Sequence, residues 1–128
     1  MSVPKFNEFF QDFMEFLSDE QEHVVQEVRD YLAGIFNLSD EDMRATTPSG
    51  GNLFFNRVSW TQTYLKKAGL IANPEHAVVV ITPLGKKVLD DETEFTLHFV
   101  KDLMIKNGEY PTEPATRFSH VRRTKTRT

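Results

Sequence analysis

Polar residues recur at helical spacing between positions 52 and 67, and their types suit contacts with phosphates and base edges. An asparagine amide can bind adenine through two hydrogen bonds, and hydroxyl groups can bond base edges or phosphates. A lysine ammonium contributes charge to phosphates but lacks the fork of an arginine. The predicted contact residues on this helix face are Asn52, Asn56, Ser59, Thr63, Lys66 and Lys67. A solvated polar face without a ligand is the alternative, and the residue pattern alone leaves both open.

Arg57 lies beside this face and has two interpretations that the sequence leaves open. As a seventh predicted DNA-binding residue, it would clamp a phosphate near the helix N-terminus, where backbone N–H groups also favour anions. As a structural residue, it would pair with an acidic side chain of the N-terminal helices or stack on Trp60. We expect Trp60 and Tyr64 to pack in or beside the core, because a duplex offers no free base face for stacking.

Patterns for other chemistry are missing from the sequence. The chain has no cysteine, which excludes disulfide scaffolds, cysteine-ligated metals and cysteine nucleophiles. Its four histidines are too widely spread for a metal site, and no Gly-x-Ser-x-Gly motif accompanies them. The Ser49-Gly50-Gly51 segment lacks the pattern of a nucleotide-binding loop, so a plain loop is favoured over a phosphate cradle. We therefore predict no cofactor and no metal.

Length and composition are those of one ordinary globular domain. The 128 residues are 39% hydrophobic and 27% charged. No apolar run approaches the roughly 20 residues of a membrane span, and the N-terminus lacks a signal-peptide pattern. These features predict a cytoplasmic protein without membrane association.

The net charge of −4 is divided unevenly along the chain. Residues 1–43 carry 2 basic and 11 acidic residues, whereas residues 44–87 carry 6 basic residues against Glu75. Residues 88–114 are again acidic, and residues 115–128 hold 5 basic residues and no acidic one. This asymmetry indicates a directed electrostatic surface. Phosphates would meet the middle block, including Lys86 and Lys87, and the C-terminal segment.

Apolar periodicity and capping signals predict six helices and one hairpin. Residues 4–17 form the first helix, and Ser18-Asp-Glu-Gln21 is a capping box that begins the second, which runs to about residue 35. A short helix follows Ser39, and Phe54, Val58, Thr61, Leu65 and Ala68 form the buried stripe of a helix over 52–68 that ends at Gly69. The last elements are a hairpin (70–72 and 77–81), a helix capped by Thr82 and a helix over 93–106.

This order is typical of a winged helix-turn-helix, because a three-helix core leaves one helix with a polar outer face and the hairpin packs beside it. We therefore predict an α+β, mostly helical fold with a small β-hairpin wing and an extra C-terminal helix. Residues 1–110 would form the domain, and residues 111–128 a basic, disordered tail. The tail is either a sequence-independent DNA arm or an untethered end.

Several motifs resemble the N-terminal domain of Mrr-type restriction endonucleases. They are Pro48-Ser49-Gly50, Phe55-Asn56-Arg57-Val58-x-Trp60, Tyr64-Leu65-Lys66-Lys67-Ala68-Gly69-Leu70 and Ile81-Thr82-x-x-Gly85, within a resemblance over about residues 3–106. The resemblance implies a winged helix that binds DNA for a separate nuclease domain that cuts modified DNA. The family's Glu/Gln-x-Lys strand, which helps to hold a divalent metal, does not occur in this chain. The hairpin also departs from the usual basic wing, since its turn holds Glu75 and His76 and no Lys or Arg.

These observations predict a non-catalytic domain that binds double-stranded DNA. The alternatives are a protein-interaction winged-helix module and a small DNA-binding transcriptional regulator. Expected partners are double-stranded DNA, a separate nuclease domain or a second copy of the chain.

Overall fold

The computed structural model describes residues 3–109 as an α+β fold that is mostly helical. The predicted tail at 111–128 lies outside the described residues. The helices are α1 (Phe10–Phe16), α2 (Val25–Ile35), α3 (Asp40–Arg44), α4 (Leu53–Lys67), α5 (Pro83–Asp90) and α6 (Leu97–Lys106). Short 3₁₀ turns flank α1 at Phe6–Phe9 and Leu17–Asp19. The strands are β1 (His23–Val24), β2 (Ile71–Ala72) and β3 (Val78–Ile81).

The aromatic residues of the first segment form one side of the core. Phe9, Phe10 and Phe13 are fully buried, as expected for an amphipathic helix with this spacing. The Phe6 ring lies 4.7 Å from that of Tyr64, and the Phe9 ring lies 5.7 Å from that of Phe54. Because burying one phenylalanine side chain is worth about 1.5–3 kcal/mol, these contacts fix the first segment against α4.

The second helix begins later than its capping signal indicates, so the prediction that it starts at Ser18 is wrong. Residues 17–19 form a 3₁₀ turn, and Glu20 has a left-handed backbone conformation with φ of 64°. The chain then forms β1, and α2 starts at Val25, with the Glu27 carboxylate accepting the Val24 N–H at 3.2 Å. Strand pairing of β1 with β3 outweighs the local capping pattern here.

The sheet is antiparallel and has the order β1-β3-β2. The predicted hairpin is confirmed as β2 and β3, with Ile71 opposite Ile81. β1 is an additional strand on the other edge of β3, with His23 opposite Val79. It was not predicted, because two residues are too few to show an alternating pattern.

Helix α4 is one residue shorter at each end than predicted, with Asn52 and Ala68 as its caps, and it has the predicted buried stripe. Phe54, Val58, Thr61, Leu65 and Ala68 are all fully buried. The helix ends at Gly69, whose φ of 82° is the left-handed conformation that glycine tolerates best. The buried Thr61 hydroxyl donates to the Phe6 carbonyl at 2.7 Å, which ties α4 to the first segment.

The remaining helices follow their capping residues. Ser39 caps α3 and Thr82 caps α5, each as predicted. α6 starts at Leu97 rather than 93, because the Thr96 hydroxyl accepts the Phe99 N–H and sets the first turn. Val100 and Met104 of α6 are buried in the common core. No helix within residues 3–109 has the length and hydropathy that a membrane span requires.

Candidate nucleic-acid interface

The outer face of α4 is the candidate interface, because its buried stripe turns the polar residues to the opposite side. Asn56, Ser59 and Lys66 are exposed, and Thr63 and Lys67 are half-buried at its edge. The fold thus brings these five predicted residues onto one continuous helix face. We call this set the α4 face.

The two lysines of the α4 face differ from those of α5 in their ion pairing. Neither Lys66 nor Lys67 has a carboxylate partner within the described residues. Lys86 pairs with Asp90 at 3.5 Å, and Lys87 pairs with Asp91 at 3.0 Å. The charge that α5 would offer to phosphates is therefore compensated locally, whereas that of α4 is not.

Asn52 stands at the start of α4 and is occupied by capping. Its Oδ1 accepts the Phe55 N–H at 2.9 Å, and its Nδ2 donates to the Met43 carbonyl at 2.8 Å. The oxygen and the nitrogen of the amide thus both bond groups inside the protein, and a hydrogen bond to a base would compete with these two bonds. Its predicted role in DNA binding stays a prediction.

Arg57 lies on the flank of α4 that faces the N-terminal segment. Its Nη1 donates to the carbonyls of Val3 at 2.6 Å and Pro4 at 3.2 Å. The structural interpretation is favoured, although its partners are backbone carbonyls rather than an acidic side chain or Trp60. No carboxylate pairs with its guanidinium within residues 3–109, and the predicted phosphate contact stays a prediction.

Tyr64 lies in the core, and Trp60 lies at its rim. Tyr64 is fully buried, and its ring meets that of Trp60 edge to face at a centroid distance of 6.3 Å. Trp60 is half-buried and lines a shallow pocket of about 190 Å³ together with Ser59, Thr63 and Lys67. The pocket adds apolar surface to one edge of the α4 face.

The loop before α4 satisfies its own polar groups. The hydroxyls of Thr47 and Ser49 lie 3.0 Å apart, and the Gly51 N–H donates to the Thr47 hydroxyl at 3.1 Å. The Thr47 N–H also donates to the Gly51 carbonyl at 2.8 Å. This closed network favours the plain-loop interpretation over a phosphate cradle.

Arg29 of α2 is a cationic residue that the sequence analysis missed. Its guanidinium carbon lies 4.1 Å from the centre of the Phe55 ring, beside the α4 face. Residues 29 and 55 are far apart in the chain, and no local pattern links them. The one signal was the isolation of Arg29 among acidic residues.

An acidic groove lies on a different part of the surface, between the first segment and the start of α6. It has a volume of about 790 Å³, and four of its lining residues are Glu8, Glu15, Glu92 and Glu94. Beside it, burial and the Glu15 charge raise the pKa of Asp12. The same segment affects Tyr31, whose pKa is raised by burial and by the charges of Asp12 and Glu15.

His23 and Asp19 form an ion pair in which the pKa of each group is changed. Its Nε2 lies 2.9 Å from Asp19 Oδ2, and its Nδ1 lies 3.2 Å from Glu27 Oε1. Burial lowers the pKa of His23, but the hydrogen bonds and charges of the two carboxylates outweigh it and raise the pKa above its ordinary value. The pKa of Asp19 is lowered by the Gln21 N–H and by His23. Within residues 3–109, no three His, Asp or Glu side chains are grouped so as to hold a metal ion.

Comparison with known proteins gives one match. The family model described as the Mrr N-terminal domain matches residues 6–91. No curated protein and no solved structure matches the chain.

Proposed function

The chain belongs to the Mrr N-terminal domain family, and from this premise we propose that it is a non-catalytic domain that binds double-stranded DNA. The observation that carries the proposal is the α4 face. This face combines amide and hydroxyl groups with two lysines that have no carboxylate partner within residues 3–109. Such a set provides both base-edge donors and uncompensated positive charge.

The arrangement of elements supports a winged helix-turn-helix. The chain runs from a first helix through β1 to α2, then through the short α3 to α4 and the β2–β3 hairpin, with the sheet order β1-β3-β2. In this proposal α4 is the recognition helix and the hairpin is the wing. An α-helix with its side chains is about 10–12 Å across, which matches the roughly 12 Å width of the major groove.

The proposed contacts follow from the position of each side chain on the α4 face. Asn56 binds a base edge, and Ser59 and Thr63 bond base edges or phosphates. Lys66 and Lys67 contact phosphates. The hairpin turn holds Glu75 and His76 instead of basic residues. The wing therefore contributes little to phosphate binding in this proposal.

The family model that matches describes an N-terminal domain and not a nuclease domain. We accordingly assign target recognition to this chain, and cleavage to a nuclease domain supplied elsewhere. A DNA-binding regulator would use the same α4 face.

The experiment is fluorescence anisotropy of a short labelled duplex at about 50 and 200 mM salt. Replacing Lys66→Ala and Lys67→Ala together should weaken binding and flatten the plot of log affinity against log salt by nearly two units, about 0.9 for each phosphate contact. The matched control is Lys86→Ala with Lys87→Ala, which removes the same charge from ion-paired positions. We expect this control to change the slope by less than half as much. No binding by the unmodified protein at 50 mM salt would contradict the proposal.

The acidic groove favours a second candidate function, a module that binds a basic segment of another protein. Glu92 and Glu94, which precede α6, line it together with Glu8 and Glu15 of the first segment. A labelled arginine-rich peptide would bind, and replacing Glu92→Gln and Glu94→Gln together would weaken that binding. Absence of peptide binding at about 50 mM salt would remove this candidate.

A further inference from the structure

Arg29 is a cationic residue that the packing of α2 against α4 brings to the edge of the α4 face. It belongs to α2, within a segment of 43 residues whose only other basic residue is Lys5. Its guanidinium carbon lies over the Phe55 ring, 4.1 Å from the ring centre. A cation–π contact of this kind uses the face of the group and does not occupy the N–H donors of its terminal nitrogens.

The carboxylates next to Arg29 on its own helix are held by other donors. Asp30 accepts the Gln26 side-chain amide at 2.9 Å, and Glu27 binds His23 at 3.2 Å. Arg29 itself makes one long hydrogen bond from Nη1 to Gln26 Oε1, at 3.3 Å. Its Nε is buried without a hydrogen-bond partner, and the residue has no ion pair in the described part of the chain. The guanidinium is thus held in position while most of its donors are unused.

Phe55 fixes where this charge lies relative to α4. Phe55, Ser59 and Lys66 are spaced by four and seven residues, so they follow one edge of the helix. Eleven residues at 1.5 Å per residue put Phe55 and Lys66 about 16 Å apart along the axis. The phosphate backbones that border the major groove are separated by roughly 12 Å. Cations at the two ends of this edge therefore have the separation needed to reach both borders of the groove.

We propose that Arg29, stacked on Phe55, binds a phosphate of the duplex backbone at the groove border opposite the one that Lys66 contacts. This inference rests on the proposed DNA-binding function and adds a residue from α2 to that interface. Phe55 is the positioning residue, because it holds the guanidinium without contacting DNA itself.

The test measures duplex affinity by fluorescence anisotropy at about 50 and 200 mM salt for Arg29→Gln, Arg29→Lys and Phe55→Leu. Arg29→Gln should flatten the salt dependence by about 0.9 units. The ratio of its Kd to that of the unmodified protein should therefore be about 3.5-fold smaller at about 200 mM than at about 50 mM salt. This factor is the effect of one phosphate contact over a fourfold change in salt. Arg29→Lys keeps the charge and should retain the slope of the unmodified protein. Phe55→Leu should weaken binding at both salt concentrations while keeping the slope, because the charge remains but is less well placed.

A purely structural role for Arg29 would affect thermal unfolding but not the salt slope, and melting curves of all variants separate these effects. The control is Lys87→Gln, which also removes one positive charge, but from an exposed residue that has an ion pair. If Arg29→Gln leaves the slope unchanged while the Lys66 and Lys67 double variant flattens it, the inference about Arg29 is wrong and the proposed function stands. If the unmodified protein does not bind the duplex, both are wrong.

Discussion

Among the glycines within residues 3–109, Gly85 has the least room for a side chain. A Cβ atom added there would lie 2.3 Å from the Leu70 carbonyl oxygen, 2.8 Å from Ile81 Cγ1 and 2.9 Å from Met14 Cε. These neighbours belong to the connection between α4 and β2, to β3 and to α1, so they cannot all move away together. The close approach gives a physical reason for the glycine in the Ile81-Thr82-x-x-Gly85 motif.

We expect Gly85→Ala to lower the free energy of unfolding by about 2–3 kcal/mol, because overpacking forces backbone as well as side-chain shifts. Urea denaturation monitored by circular dichroism measures this. The control is Gly34→Ala in α2, where an added Cβ meets nothing within 4 Å. It should raise stability by about 0.5–1 kcal/mol, because alanine favours the helix and restricts the unfolded chain. Equal effects at the two glycines would contradict the packing argument.

At the scale of elements, His23 joins three pieces of structure, one of which is distant in the chain. Its ring bonds Asp19 of the preceding turn and Glu27 of α2, and its backbone pairs with Val79 of β3. The Phe16 ring lies 4.8 Å from the imidazole and shields one side of it. Both ring nitrogens face carboxylates, so the protonated imidazolium fits this junction best.

The raised pKa of His23 sets the direction of a pH effect. Its contribution to stability is fully present below the unfolded pKa of about 6.5 and is lost as the pH rises through the higher folded pKa. At about pH 6 we expect His23→Gln to cost about 0.5–1 kcal/mol, since both carboxylates are half exposed and screened by water. At about pH 9 the cost should be much smaller.

Urea unfolding at the two pH values measures this difference. His98→Gln is the matched control, because His98 pairs with Asp102 in a largely exposed position. This substitution should cost little at either pH, because a largely exposed ion pair contributes little to stability. A cost of His23→Gln that is the same at both pH values would contradict the proposed ion pairing.

At the scale of the whole molecule, the distribution of charge separates two surfaces. The α4 face has two lysines without a carboxylate partner within residues 3–109, while the groove between the first segment and α6 is lined by glutamates. A net charge of −4 therefore does not oppose DNA binding uniformly. The acidic groove would repel phosphates and help to orient the α4 face toward the duplex.

The whole molecule should bind DNA without cleaving it. The family model that the chain matches describes an N-terminal domain and not a nuclease domain, and our proposal assigns metal-assisted hydrolysis of the phosphodiester to a separate domain. We expect supercoiled plasmid to remain intact when incubated with the purified protein and Mg²⁺. The Lys66→Ala and Lys67→Ala variant, purified identically, distinguishes a contaminating nuclease, whose cutting would be unchanged. Cutting by the unmodified protein that this variant loses would show that the chain is an enzyme.

The sequence was sufficient to predict the elements whose bounds depend on residues close together in the chain. The bounds of α4 follow from a five-residue buried stripe, the Asn52 cap and Gly69, all of which act within a few residues. The hairpin, the caps of α3 and α5 and the membership in the Mrr N-terminal domain family are confirmed for the same reason, since each depends on contiguous residues. The winged-helix assignment, the DNA contacts and the tail stay predictions.

What only the tertiary structure decided are the contacts between residues distant in the chain. The sequence predicted that α2 starts at Ser18, but it starts at Val25 because β1 pairs with β3, more than 50 residues away in the chain. Arg57 binds the carbonyls of Val3 and Pro4, and Arg29 stacks on Phe55, although no spacing in the sequence relates these residues. Sequence periodicity fixes which side of a helix is buried, because that is a property of one helix. Which partner meets each side chain depends on how the helices pack together, and local sequence does not encode that.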